Sequence, residues 1–325
     1  GDITVGKGTH ILKILDEYFA TEDVLGAKDL SSQITKVNYR LWPKMFHSEG
    51  PNQSARPIPD LIYLDIETLV TELLLTHHIA EKTLVHKALF DAAYIEKIRE
   101  YFDGLPGAFS RATQSGTYMF WGMDSKLKRL KMFREGDRLI SEDGSIDIPL
   151  TPEGVKQALI EKRIFPGMML VYLVVSLYYG MKCLGGFCQV HDLTMMKGAW
   201  SSVLRDLGES AEADALAPVQ TKELGGDGMV LAYFTTVQDT LVPATGIDMA
   251  LERVNTSYDT YVELSKHITL SEAMNPLLPE MYTVLYAQNE RDPELLLKPE
   301  TILESTGLQE KLIHELEHVN IGTVA

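Results

Sequence analysis

The sequence is poor in cysteine, since Cys183 and Cys188 are the two that occur among its 325 residues. Two cysteines form at most one disulfide bond, so a disulfide framework is excluded as the basis of stability. Sparse cysteine use is typical of a reducing compartment, and the first residues lack the basic and then apolar order of a signal peptide. We therefore expect an intracellular, cytoplasmic protein.

The sequence also lacks a long apolar run. Its most apolar segment, residues 165–180, is 16 residues long, whereas a membrane-spanning helix needs about 20. A segment of this length is typical of a helix buried in a protein core. We therefore predict a soluble protein with no membrane partner.

Positive charge is scarce, with 30 Lys and Arg residues against 46 Asp and Glu residues and a formal net charge of −16. A surface this acidic repels the phosphate backbone of DNA and RNA, because such binding needs clustered cationic side chains. It also disfavours adhesion to anionic lipids. The charge balance thus predicts no nucleic-acid partner and leaves the oligomeric state open.

The pattern of apolar residues predicts an α+β protein in which helices dominate. Three regions follow one another along the chain, although one compact domain is equally compatible with this order. The regions are a helical one at residues 1–105, a β meander within residues 106–150, and a mostly helical one at residues 151–325.

Local patterns support this division. Apolar residues recur at helical spacing before residue 80, and Thr151 followed by Pro152 is a typical helix start. We also expect one helix from about Glu81 to Phe102 and another at Leu193–Leu207. We place the meander at about residues 116–150, because aromatic and alternating segments there are separated by turn residues. The helical stripe consists of Ile62, Ile66, Leu69, Val70 and Leu73.

Residues 6–9, GKGT, resemble the end of a phosphate-binding P-loop. A P-loop needs a buried strand before its first glycine and a helix that begins at its lysine. No strand precedes these residues in the sequence, so we interpret them as a glycine-rich terminal segment.

His314 and His318 form an HExxH sequence, which is typical of zinc proteases. On a helix, both histidines would lie away from the apolar stripe, and no His, Cys, Asp or Glu follows His318 as a third ligand. We therefore expect a solvated polar face and no metal, with a metalloprotease as a less favoured alternative.

A polar segment follows the most apolar one, since residues 180–197 carry several reactive side chains around two adjacent glycines. We assign four of them as candidate catalytic residues, because amine, thiol, imidazole and carboxyl groups serve as nucleophiles, acids and bases. Gln189 is a candidate substrate-binding residue. The catalytic candidates are Lys182, Cys188, His191 and Asp192.

This segment has alternative interpretations. Cys188 and His191 are three residues apart, which on a helix would place a thiolate beside its base. Cys183, Cys188, His191 and Asp192 could instead bind a metal, although the C-x4-C spacing is unusual for zinc. A purely structural role for the cysteines and the histidine, or a ligand-binding turn without catalysis, is the simpler alternative.

The chain is locally basic at residues 126–138, where six cationic and two acidic side chains give a net charge of +4. Such a patch attracts a small anion against an acidic background. We assign Arg111, Lys126 and Arg129 as candidate anion-binding residues and Trp121 as a wall of the same pocket. Alternatively, the cations protect a sheet edge and the aromatic residue belongs to the core.

Taken together, these residues favour a soluble intracellular enzyme that acts on a small anionic metabolite. The sequence indicates no cofactor and no reaction, although group transfer fits a site of this kind. G-x-S-x-G is absent from the sequence, and no G-x-G-x-x-G follows a strand. The alternative is a non-catalytic helical protein that binds another protein or senses a ligand, and a pocket lined by both Arg111 and His191 would favour the enzyme.

Overall fold

The structure, a computed structural model, describes residues 12–45, 58–223, 233–235, 241–243, 266–308 and 310–311. The chain divides into two compact units, one formed by residues 64–227 and the other by residues 1–63 together with 228–325. The described elements confirm the predicted α+β class in which helices dominate. Residues 105 and 150 both lie inside the first of these units, and the predicted division at these positions stays a prediction.

The unit of residues 1–63 and 228–325 is mostly helical in its described part. A two-stranded antiparallel sheet also belongs to it, and a small core of its own includes Ile268, Leu303 and Leu308. Its N-terminal helical segments are α1 (Leu15–Phe19), α2 (Glu22–Leu25) and α3 (Leu30–Met45).

The unit of residues 64–227 begins with three helices whose N-termini are capped by side chains. Asp65 accepts a hydrogen bond from the backbone N–H of Thr68, and Asp91 accepts from those of Ala93 and Tyr94. The helices are α4 (Ile66–Leu73, extended by the turn Leu74–His78), α5 (Leu84–Phe90) and α6 (Ala92–Phe102).

A five-stranded antiparallel sheet follows, preceded by a short hairpin. The order in the larger sheet is β6-β5-β4-β3-β7, so the predicted meander of residues 116–150 supplies four adjacent strands and is confirmed. The hairpin consists of β1 (Phe109–Ser110) and β2 (Ser115–Gly116). The sheet consists of β3 (Phe120–Met123), β4 (Arg129–Glu135), β5 (Arg138–Ser141), β6 (Asp147–Pro149) and β7 (Ile164–Pro166).

Four helices complete this unit. Thr151 caps the first of them by accepting a hydrogen bond from the backbone N–H of Gly154, with Pro152 in the first turn, as predicted. The long helix that ends at Asp206 packs against α6. The helices are α7 (Pro152–Ile160), α8 (Met168–Val171, extended by the turns Tyr172–Tyr178), α9 (Phe187–Asp206) and α10 (Ser210–Leu216).

The other unit continues with strands and helices near the C-terminus. Thr269 begins the first of these helices with a capping box, in which its side chain and that of Glu272 satisfy each other's backbone N–H groups. The elements are β8 (Tyr233–Thr235), β9 (Leu241–Pro243), α11 (Leu270–Met274), α12 (Leu278–Leu285) and α13 (Pro299–Thr306), with short 3-10 turns at Asn275–Leu277, Gln288–Glu290 and Pro293–Leu295.

The predicted buried helix is confirmed, because every residue from 169 to 177 is buried. Together with residues of the sheet and of α4–α7, α9 and α10, it forms the core of its unit. Within the described residues, no helix is both long enough and apolar enough to cross a bilayer.

Several predicted boundaries were wrong for local physical reasons. Residues 58–65 are not helical, although the predicted apolar stripe begins at Ile62, because Asp65 adopts an extended conformation and caps α4. One helix was expected between residues 81 and 102, but Asp91 adopts an extended conformation and caps a second helix. α9 begins at Phe187, six residues before the predicted start, since Gly186 precedes it in an extended conformation.

Residues 6–9, His314 and His318 lie outside the described residues, so the P-loop and HExxH interpretations stay predictions.

Candidate functional site

A cavity of about 630 Å³ lies within the unit of residues 64–227. Its walls are the first turn of α4, residues 104–110 and 115–117, one residue each of β3, β4 and β7, and α8 with the turn after it, together with Cys183 and Asp192. Its volume is in the range that small-molecule sites occupy. The cavity therefore joins the basic part of the meander to the polar segment that follows the buried helix.

A glycine allows the hairpin wall to close. Gly116 pairs with Phe109 across the hairpin and has a φ of +67°, a conformation that glycine adopts without strain. A Cβ atom at this position would lie 2.1 Å from the backbone oxygen of Ala108, which is far closer than atoms pack. The tight approach at Gly116 therefore fixes the shape of this wall.

The cationic group of the cavity is Arg129, at the start of β4. Its guanidinium carbon lies 4.3 Å from the centre of the Trp121 ring on β3. In the described part of the chain, no oxygen accepts a hydrogen bond from this guanidinium, and no carboxylate forms an ion pair with it. The aromatic ring thus positions a guanidinium whose hydrogen-bond donors remain available to a ligand.

Glu67 is an acidic residue beside this group. Burial and the nearby charge of Asp65 raise the pKa of Glu67, while the positive charge of Arg129 partly offsets this effect. Glu67 and Arg129 are close enough to interact electrostatically without forming an ion pair. This part of the cavity consequently offers one strong cation and one carboxyl group that binds its proton more tightly than usual.

Asp192, in the second turn of α9, is another acidic residue of the cavity. Burial raises the pKa of Asp192, and the charge of His191 opposes the shift. Its Oδ2 lies beside Gly107, where a Cβ atom would be 3.2 Å away. No described group donates a hydrogen bond to this carboxyl group, so desolvation dominates and favours its neutral form.

Cys183 and Tyr172 lie near Asp192. Burial raises the pKa of the Cys183 thiol, which keeps the sulfur protonated and makes it a poor nucleophile. Burial, followed by the charges of Cys183 and Asp192, also raises the pKa of the Tyr172 hydroxyl. These neutral groups leave Asp192 as the side chain here that is best suited to exchange a proton.

The structure brings three predicted site residues together and places the others elsewhere. Trp121, Arg129 and Asp192 line the cavity. Arg111 instead lines a smaller neighbouring cleft, where its Nε donates to Asp103 at 2.5 Å. Neither Arg111 nor His191 lines this cavity, so it is not the pocket with both residues that would have favoured the enzyme.

The remaining predicted residues are also outside the lining of the cavity. Lys182 is exposed and forms an ion pair with Glu223 at 3.3 Å, and Lys126 is exposed in the turn between β3 and β4. Cys188 is exposed in the first turn of α9. Both polar side-chain atoms of Gln189 are buried without a described partner, close to Gly185. Among the described residues, no three His, Cys, Asp or Glu side chains are arranged to hold a metal.

Sequence reasoning missed Glu67, Tyr172 and Gly107 as parts of the site. Glu67 has an ordinary position one residue into a helix, and Tyr172 belongs to an apolar run. They meet Arg129 and Asp192 through the packing of α4 and α8 beside the sheet, which no local pattern encodes. Gly107 lies within Leu-Pro-Gly, a composition that is common in turns and carries no signal of a site.

No family model, no curated protein and no solved structure matches this chain. The cavity side chains are therefore the basis on which a function is proposed.

Proposed function

We propose that this chain is a soluble cytoplasmic enzyme that acts on a small anionic metabolite in the cavity of about 630 Å³. The observation that carries this proposal is that one cavity contains a guanidinium without an ion-pair partner among the described residues, Arg129, and a carboxyl group of raised pKa, Asp192. The first group suits anion binding, and the second suits proton transfer.

Arg129 would bind the anionic group of the substrate. A guanidinium presents its donors in a planar fork that matches a carboxylate or a phosphate, and each such charge-assisted bond contributes about 1.5–3 kcal/mol. Contact with Trp121 limits the orientations of this fork before a ligand arrives. Binding therefore requires little reordering of the side chain.

Asp192 would serve as the general acid or base. Efficient proton transfer needs a group whose pKa approaches the working pH, and burial moves the pKa of Asp192 in that direction. A bound anion would raise this pKa further, because like charges favour the neutral carboxyl group. Substrate binding would thus favour the protonated form of Asp192.

The hairpin wall supplies neutral polar groups for the rest of the substrate. Ser110, Ser115 and Thr117 contribute to the lining of the cavity. The Thr117 hydroxyl is occupied by β-sheet backbone, since it accepts from the N–H of Met132 at 2.9 Å and donates to the oxygen of Phe120. Ser110 accepts from the N–H of Thr113 at 3.3 Å, and Ser115 shares one hydrogen bond with the Thr113 hydroxyl at 2.8 Å, so both serines keep hydrogen-bonding capacity for a ligand.

The test is an activity screen of purified protein with a panel of small carboxylic acids and phosphate monoesters, in which products are followed by mass spectrometry. We expect the wild type to convert at least one compound. Arg129→Ala should weaken its binding by about tenfold or more. Asp192→Asn should retain binding and lose about 10²-fold or more in turnover.

Two matched variants control for charge. Lys128→Ala removes an exposed cation one residue before Arg129, and Asp206→Asn removes a carboxylate at the far end of α9. Both should leave binding and turnover unchanged. Binding without conversion by the wild type would instead support the ligand-sensing alternative, and absence of binding to every member of the panel would overturn the proposal.

A further inference from the structure

A second cleft, of about 240 Å³, lies in the unit of residues 64–227 and contains three arginines. Phe109 lines both this cleft and the larger cavity, but the cationic residues of the two are different. We call this second site the arginine cleft. Its arginines are Arg99 on α6, Arg111 after β1 and Arg134 on β4.

Two of the arginines are held through Nε. The Nε of Arg111 donates to Oδ2 of Asp103 at 2.5 Å, and the Nε of Arg134 donates to the backbone oxygen of Gly136 at 2.7 Å. Within the described residues, the terminal nitrogens of Arg111 have no hydrogen-bond acceptor. Both guanidinium groups are thus fixed at one edge while terminal donors remain for a ligand.

The buried Tyr118 hydroxyl lies beside these cations. Nη1 of Arg134 is 3.5 Å from the Tyr118 oxygen, and the guanidinium carbon of Arg134 is 6.0 Å from its ring centre. Burial raises the pKa of Tyr118, while the charges of Arg134 and Arg99 oppose this shift. The hydroxyl therefore remains neutral and lies within reach of Arg134.

Three carboxylates lie near the three arginines, and among them Asp103 alone accepts a described hydrogen bond from one of the guanidinium groups. Asp103 neutralises Arg111 through the Nε contact, and the exposed Glu96 lies 3.8 Å from Arg99, where solvent screens the pair. Glu135 lines the cleft but is exposed. Arg134 has no carboxylate partner in the described part of the chain. Its guanidinium therefore remains available to pair with a bound anion.

We infer that the arginine cleft binds a phosphate-sized dianion, either free phosphate or the phosphoryl group of an ester. Three guanidinium groups and a hydroxyl group provide the donors that the oxygens of such an anion accept. The cleft is smaller than the cavity of about 630 Å³, and binding here does not depend on the function proposed for that cavity.

Calorimetric titration of the full chain with inorganic phosphate and with glycerol 3-phosphate tests this site. We expect saturable binding at constant ionic strength. Arg134→Gln and Arg111→Gln should each weaken it by about tenfold or more, since each removes charge-assisted hydrogen bonds. Arg138→Gln should leave it unchanged, because Arg138 is outside the cleft and pairs with Asp147 at 2.6 Å.

The remaining measurements distinguish free phosphate from a phosphorylated ligand and check that each variant is folded. Equal affinity for both titrants would assign the cleft to free phosphate, and preference for the ester would assign it to a phosphorylated ligand. Arg134→Lys keeps the charge but loses the fork, and thermal unfolding without phosphate checks that each variant is folded. Absence of saturable phosphate binding to the wild type would overturn the inference, and so would folded Arg111→Gln and Arg134→Gln variants that bind phosphate as tightly as the wild type. Arg129→Ala should not weaken phosphate binding in the cleft, which distinguishes this site from the cavity.

Discussion

Arg129 and Trp121 are diagonal neighbours across the β3–β4 pair, and the guanidinium carbon lies 4.3 Å from the centre of the indole ring. The antiparallel register places Trp121 opposite Lys131, two residues beyond Arg129. Diagonal residues of this kind are within reach of one another when one of them is aromatic and the other is long. The sheet register therefore produces the orientation of the cation in the cavity.

The first prediction concerns how much the contact between Arg129 and Trp121 contributes to the stability of the fold. Arg129→Ala should lower the free energy of unfolding by about 0.5–1 kcal/mol, as expected for an exposed cation–π contact. Urea denaturation measures this loss, and the fluorescence of Trp121 should change in the same variant. Lys128→Ala provides the control and should change neither quantity. A loss of several kcal/mol in Arg129→Ala would show that the residue is mainly structural.

The second prediction concerns the pH dependence of stability at Asp192. Because burial raises the pKa of Asp192, the native state binds its proton more tightly than the unfolded state does. The residue therefore lowers stability as the pH rises above the unfolded pKa of an ordinary carboxyl group. Asp192→Asn should stabilise the protein at pH 7 and have little effect near pH 3.

Asp206 is the matched control at the other end of α9. Hydrogen bonds from Lys97 and Tyr101, both at 2.8 Å, lower the pKa of Asp206. Asp206→Asn should consequently destabilise the protein at pH 7, and the loss should shrink as the pH falls. Urea midpoints of both variants and the wild type between pH 3 and pH 7 check the two signs. The same sign for both variants would contradict the assignment of Asp192 as a desolvated carboxyl group.

Some of this organisation could be predicted from the sequence because it depends on local patterns. The strands of the meander alternate, their turns carry Asp and Gly, and Thr151-Pro152 caps α7, so neighbouring residues specify each feature. The apolar run before residue 180 likewise predicts a buried helix, since few polar groups interrupt it.

The assembly of the site depends on contacts between distant segments, which local patterns do not encode. His191 and Asp192 are adjacent in sequence, yet Asp192 lines the cavity and His191 does not, because neighbouring side chains on α9 point about 100° apart. The sequence predicted a helix start at Leu193, so this distinction was not available. Arg99 and Arg111 line one cleft because Asp103, which follows α6, pairs with Phe109 and accepts hydrogen bonds from Arg111, and no local pattern predicts these contacts.

The third prediction isolates the contact between Gly107 and Asp192. Gly107 has a φ of +74°, and a Cβ there would lie 3.0 Å from Cε of Met196 and 3.2 Å from Oδ2 of Asp192. Gly144 has a nearly equal φ of +72° with no atom within 4 Å of the added Cβ. Both Gly→Ala variants should lose about 1 kcal/mol through backbone strain.

The two glycine variants should differ in the cavity. The atoms near Gly107 are the ends of flexible side chains, so Gly107→Ala should displace the Asp192 carboxyl group at little further cost in stability. Urea denaturation compares the stabilities, and NMR titration of the Asp192 carboxyl carbon compares its pKa. A displaced carboxyl group should titrate differently in Gly107→Ala and as in the wild type in Gly144→Ala. Identical titration in all three proteins would show that Gly107 does not position Asp192.

The last prediction concerns His78, a fully buried histidine at the end of the turn that extends α4. Its Nδ1 lies 2.9 Å from the Thr83 hydroxyl, and its Nε2 has no hydrogen-bond partner in the described part of the chain. The ring meets that of Tyr178 edge to face, with centres 4.9 Å apart. Burial, followed by the charge of His77, lowers the pKa of His78 from 6.5 to about 4, although Glu81 opposes the shift.

The sign of the resulting pH dependence follows from proton binding. Between pH 6.5 and about 4 the unfolded chain binds a proton at His78 that the native state does not bind, so stability falls as the pH is lowered through this interval. The loss should approach, at most, about 3 kcal/mol. His78→Phe should remove this part of the pH dependence, whereas His77→Gln, which removes only the smaller of the two causes of the shift, should retain most of it. Urea midpoints at pH 7, 5.5 and 4.5 provide the measurement, and parallel curves for the wild type and His78→Phe would contradict the prediction.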